Sequence, residues 1–70
     1  LGRIEEALFQ FPMAIKLNPN HADAYYNYGS VLSDLERYED AIVQVQSAIK
    51  LNPNLSKAYS VYGTALHSLG

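Results

Sequence analysis

Seventy residues, 49% of them hydrophobic and 17% charged, describe one small globular unit rather than a disordered tail. A net charge of -2, with five scattered basic residues, argues against the basic face that nucleic-acid binding needs. The lack of cysteine excludes a disulfide framework and cysteine zinc sites, and no apolar run reaches the roughly 18 residues of a membrane span.

The chain begins at Leu1 without a methionine and reads as an excerpt from something longer. It shows neither the charged start nor the cleavage site of a signal peptide. With no cysteine, that leads to the expectation of a cytoplasmic protein.

The first expected helix covers about Ile4 to Leu17, with Ile4, Ala7, Leu8, Phe11 and Ala14 as its apolar and small positions. Pro12 lies inside it, removes the bond to the Leu8 carbonyl, and should kink the helix or cost roughly 3 kcal/mol. Glu5 and Glu6 fall near its start, where negative charge suits the helix dipole. Asn18-Pro19 ends it, because the residue before proline is pushed out of the α region. Asn20 is the expected N-cap of the next helix, with Asp23 three residues on in a capping-box position.

The second expected helix covers Ala22 to Leu35, where Tyr25, Tyr28, Gly29, Leu32 and Leu35 recur at helical spacing. Glu36 follows it, at the place in the pattern held by Gly2 and Gly70, where a left-handed residue is favoured. A non-glycine there should cost on the order of 1 kcal/mol. The third helix covers Tyr38 to Leu51, with Tyr38, Ala41, Ile42, Val45, Ala48, Ile49 and Leu51 on one face. Ala48 and Leu51 are expected to pack. Glu39-Asp40 repeats the acidic start, and Asn52-Pro53 repeats the stop. The fourth helix covers about Ser56 to Leu69.

The first and third helices are copies, as are the second and fourth. Shifted by 34 residues, the sequence matches itself at 18 of 36 positions, and AIKLNPN occurs at Ala14–Asn20 and again at Ala48–Asn54. Such a period signals a stacked-repeat architecture. The heptapeptide is then scaffold punctuation: helix end, proline stop and turn. Three segments follow: 1–21, 22–55 as the one complete period, and 56–70.

These positions resemble the tetratricopeptide repeat family, whose period is also 34. Tyr25, Tyr28, Gly29 and Leu32 match its first helix (helix A), and Ala41, Val45, Ala48 and Pro53 match its second (helix B). Ala7, Phe11, Ala14 and Pro19 match in the copy before, and Tyr59, Tyr62, Gly63 and Leu66 in the copy after. Tyr28 stands where the family usually has leucine, and Val45 replaces an aromatic. The resemblance implies an all-α solenoid of antiparallel helix pairs wound into a right-handed superhelix, with one full repeat between two half repeats. The matched positions of the complete and following copies, Tyr25 to Pro53 and Tyr59 to Leu66, are its expected structural core.

The resemblance also implies a concave groove lined by the A helices. In this sequence that stripe is Asp23, Tyr26, Asn27, Ser30, Ser33 and Asp34, then Lys57, Ser60, Val61, Thr64, His67 and Ser68. The expected partner-binding residues are Asp23, Tyr26, Asn27, Ser30, Ser33, Lys57, Ser60, Val61 and Thr64. Family members akin to chaperone cofactors use a carboxylate clamp. Asn27 and Lys57 stand at two clamp positions, but Val61 replaces one of its basic residues. Arrays attached to sugar transferases use an asparagine ladder, which Val61 breaks after Asn27.

The expected function is a non-enzymatic protein–protein interaction scaffold that holds an extended peptide or a helix, without cofactor, metal, nucleic acid or membrane. His21 and His67 lack a second ligand at three or four residues and read as surface histidines. There is no phosphate loop and no catalytic set. Two alternatives stand beside this reading. One is head-to-tail self-association, through Ile4, Leu8 and Phe11 at one end and Tyr59, Tyr62 and Leu66 at the other. The other is a regulatory or substrate-binding arm of a larger enzyme.

Overall fold

The computed structural model describes residues 2–70. Four helices follow in chain order: α1 (Gly2–Leu17), α2 (Ala22–Asp34), α3 (Tyr38–Leu51) and α4 (Ser56–Leu69). There is no strand among the described residues. The fold is therefore all-helical, and α3 and α4 begin and end where the spacing places them. Leu1, the match of Leu35, lies outside the described residues.

α2 is the hub. It packs most extensively on α3, carries α1, and touches α4, which itself packs on α3. The result is a slab with principal extents of 30 × 28 × 15 Å.

The core of so thin a slab is built from small side chains. Leu32 is 1% exposed, and Ala41, Val45, Ala48, Ala58 and Ala65 are fully buried, with Ala24 close to it. Helix axes can approach closely only where side chains are small, and Gly29 is the tightest such point. A β-carbon there would sit 2.5 Å from Val45 Cγ1 and 3.1 Å from the Ala41 carbonyl oxygen. The aromatic missing at position 45 follows from this, because Val45 already occupies the space that Gly29 leaves.

α1 meets α2 differently. The rings of Phe11 and Tyr28 stack with centroids 5.8 Å apart and planes at 29°. One period later Val45 offers no ring, and Gln46 instead donates its Nε2 hydrogen to the Tyr62 hydroxyl at 3.0 Å. The same tyrosine position thus takes two partners, chosen by what the preceding helix offers. α1 itself runs through Pro12 as one continuous helix.

The two Asn-Pro-Asn turns fold alike. The Asn18 and Asn52 amides bond the carbonyls of Ala14 and Ala48, both at 2.9 Å, and end α1 and α3. Beyond each turn a tyrosine reaches back. The Tyr25 hydroxyl donates to the Pro19 carbonyl at 3.0 Å, and Tyr59 does the same to Pro53 at 3.0 Å. Proline has no N–H but keeps its carbonyl as an acceptor, so one residue both stops a helix and anchors the next.

The α2–α3 turn rests on Glu36, which adopts φ 63°, the one positive φ of a non-glycine residue among the described residues. Its amide bonds the Ser33 carbonyl at 2.9 Å, and the Arg37 amide bonds the Leu32 carbonyl at 2.8 Å. This pair of bonds is the Schellman motif that closes a helix end. Arg37 also pairs with Asp40 at 2.8 Å. Both partners are exposed, so the pair adds at most about 1 kcal/mol.

Several expectations are corrected. The capping box at Asn20 is absent: the N-caps of α2 and α4 are His21 and Leu55, and neither makes a side-chain cap bond. The Asn-Pro-Asn turn closes on its own backbone instead, through His21 to Asn18 and Leu55 to Asn52. Gly2 is the first residue of α1, not a turn residue, and Gly70 caps α4 without a positive φ. Pro53 is exposed, not core, because its work is done in the turn. Leu51 is exposed as well, at the last position of α3. Tyr59 and Leu66 are 47% and 50% exposed, and a β-carbon at Gly63 would meet nothing within 4 Å. Their counterparts in α2 are covered by α3, and among the described residues no helix covers this face of α4.

Candidate partner-binding face

The side-by-side contact of α2 and α4 turns one face of each helix the same way. Ser30 and Ser33 of α2 come together there with Ser60, Val61 and Thr64 of α4 along a seam. These five residues and Asp34 line an open cleft of about 180 Å³. The walls carry four hydroxyl groups, one aliphatic patch at Val61 and one carboxylate at Asp34. Ser30, Ser33 and Val61 are half-buried, while Asp34, Ser60 and Thr64 are exposed.

At the other end of the seam stands Lys57. Its ammonium lies 3.8 Å from Asp23 Oδ1 and 4.8 Å from the centre of the Tyr26 ring. Both contacts cross from α4 to α2. The ion pair is exposed and weak by itself, and the ring adds a modest cation–π attraction. Together they hold the one lysine of this face against the wall. Asp23 therefore bonds across helices rather than capping its own.

Of the nine residues expected to bind a partner, Ser30, Ser33, Ser60, Val61 and Thr64 line the cleft. Asp23, Tyr26 and Lys57 form the cluster at its end. Asn27 is exposed on α2 and lies outside the cleft lining. Asp34, on the expected stripe but not among those nine, belongs to the lining.

Among the described residues there is no group of three or more His, Cys, Asp or Glu side chains able to hold a metal ion. No helix among the described residues is long and apolar enough to cross a membrane. Every buried side-chain nitrogen and oxygen among them has a hydrogen-bond partner.

The family model described as tetratricopeptide repeat matches residues 13–43, from the second half of α1 through α2 into α3. No curated protein matches the chain. The matched span holds the Asn-Pro-Asn turn, the Tyr25 anchor, the Gly29 contact and the Schellman turn at Glu36. By that match and by its four-helix arrangement, residues 13–43 are similar to a tetratricopeptide repeat, in an all-helical chain compatible with that kind of repeat.

Proposed function

We propose that this chain is a non-catalytic interaction module that holds an extended segment of a partner protein along the α2–α4 face. Tetratricopeptide repeats are in general protein-interaction modules. The observation that carries the reading here is the hydroxyl-lined cleft itself. Rotatable hydroxyls accept and donate, so they suit a peptide backbone that offers both kinds of group. In this reading residues 22–55 are the complete repeat, the face is concave within a right-handed superhelix, and the protein works in the cytoplasm.

The test is selection from a displayed random-peptide library, with bound peptides mapped by backbone amide shifts. Shifts at Ser30, Ser33, Ser60 and Val61 are expected. The triple variant Tyr26→Ala, Asn27→Ala, Lys57→Ala should lose binding at unchanged helicity. Shifts confined to the opposite face, or full binding by that variant, would remove the assignment.

A second reading rests on a separate observation, the open face of α4 at Tyr59, Gly63 and Leu66. On α2 the matching face receives α3. The α1 helix of another copy carries Ala7, Phe11 and Ala14 at the positions of Ala41, Val45 and Ala48, so it offers a like surface for head-to-tail contact. Sedimentation over a wide concentration range decides this: a monomer throughout would exclude it.

A further inference from the structure

Two ends of the cleft differ in charge, and the difference points to what fills it. At one end Lys57 is already engaged by Asp23 and Tyr26. A partner carboxylate would have to compete with both. At the other end Asp34 is exposed and belongs to neither ion pair of the described residues.

The position of Asp34 on its helix sharpens the contrast. It is the last residue of α2, at the negative end of the helix dipole. The last turns of α1, α3 and α4 carry Lys16, Lys50 and His67, whereas that of α2 has no basic residue. The carboxylate and the dipole end thus add their negative fields, and nothing on α2 offsets them. Around that charge stand Ser30, Ser33 and Thr64, whose oxygens can accept hydrogen bonds.

We propose that the cleft is a seat for a basic side chain of the partner, an arginine or a lysine, with Asp34 as its counter-ion. This rests on the groove reading above and adds the charge of the ligand. The aliphatic stem of such a side chain lies along Val61 while its charged head reaches Asp34. Arginine is favoured over lysine, because its several N–H donors meet a carboxylate and hydroxyls together. By the same argument, the cleft disfavours a partner's C-terminal carboxylate.

The full chain, isotope-labelled, is titrated with three blocked pentapeptides: Ser-Ala-Arg-Ala-Ser, its lysine form and its glutamate form. The arginine peptide should shift the amides of Ser30, Asp34, Val61 and Thr64. The glutamate peptide should leave them in place. Asp34→Asn should weaken arginine-peptide binding roughly fivefold, the upper range for an exposed ion pair. That variant removes a charge unfavourable to α2, so melting at or above the parent temperature confirms its fold. Equal shifts by all three peptides, or undiminished binding by Asp34→Asn, would overturn the basic-side-chain seat. The groove reading would then still stand if library-selected peptides map to the same face. If no peptide from either source moves these amides, both fail.

Discussion

Gly29 and Gly63 occupy the same place in the period, yet replacement by alanine should move stability in opposite directions. In a helix interior alanine is favoured over glycine by about 1 kcal/mol. At Gly63 that gain is free, because the added methyl meets nothing within 4 Å. At Gly29 the methyl lands 2.5 Å from Val45 Cγ1, where carbon atoms prefer about 3.5–4.0 Å. The gap must open by about 1 Å. Val45 is fully buried and β-branched, with little freedom at χ1. The second contact, at 3.1 Å, is the backbone oxygen of Ala41, which cannot swing aside. Overpacking of this kind costs about 1–3 kcal/mol, and two stiff neighbours put this site in the upper part of the range. The net expectation is a loss of about 1–2 kcal/mol at Gly29 and a gain of about 1 kcal/mol at Gly63. For a domain of this size 1 kcal/mol is worth about 4–8 °C, so the two variants should melt at least about 8 °C apart. Thermal and urea unfolding followed by circular dichroism measures both. A double-mutant cycle between Gly29→Ala and Val45→Ala adds a direct check, since relief of the clash should appear as a coupling of about 1 kcal/mol or more. Equal stabilisation by both glycine replacements, or a cycle without coupling, would refute the close-approach account.

Other outcomes follow from the same geometry. Glu36→Gly should stabilise the chain by about 1 kcal/mol, because glycine enters the left-handed region without the strain of a side chain; a lower urea midpoint would contradict it. Pro12→Gln installs the residue found one period later, restores the bond to the Leu8 carbonyl, and should raise stability by about 1–3 kcal/mol; unchanged thermal unfolding would mean that α1 adds little to the cooperative unit. Tyr25→Phe should cost about 0.5–1.5 kcal/mol through loss of the bond to Pro19, and Tyr59→Phe a similar or smaller amount. If neither substitution alters the urea midpoint, those two bonds are not stabilising.

The helices were legible in the sequence because two independent signals agreed, apolar spacing and a 34-residue echo. The Schellman turn was legible too, since Glu36 stands in phase with two glycines. The capping residues were not, because an asparagine beside proline can serve either a cap or the turn, and the turn won through its backbone bonds. The buried alanines at 24, 58 and 65 were missed for a related reason: alanine is common on every helix face, and only the neighbouring helix decides which ones are covered. Within the site, the stripe could be read from helical spacing. Its division into an engaged lysine and a free carboxylate could not. Asp23 and Lys57 are 34 residues apart in the chain, and only the packing of α2 beside α4 brings them together.

The Tyr–Pro bonds have a consequence for how such a chain can grow. Each spans six residues and ties the first turn of a helix to the Asn-Pro-Asn turn just before it. The geometry of the corner is therefore set locally, by the last residues of one unit and the first turn of the next. The block 22–55 brings the tyrosine for the corner before it and the proline for the corner after it. Duplicating or deleting whole blocks leaves every corner intact and asks only that flat faces match, so the length of the array can change in evolution while its angles stay the same.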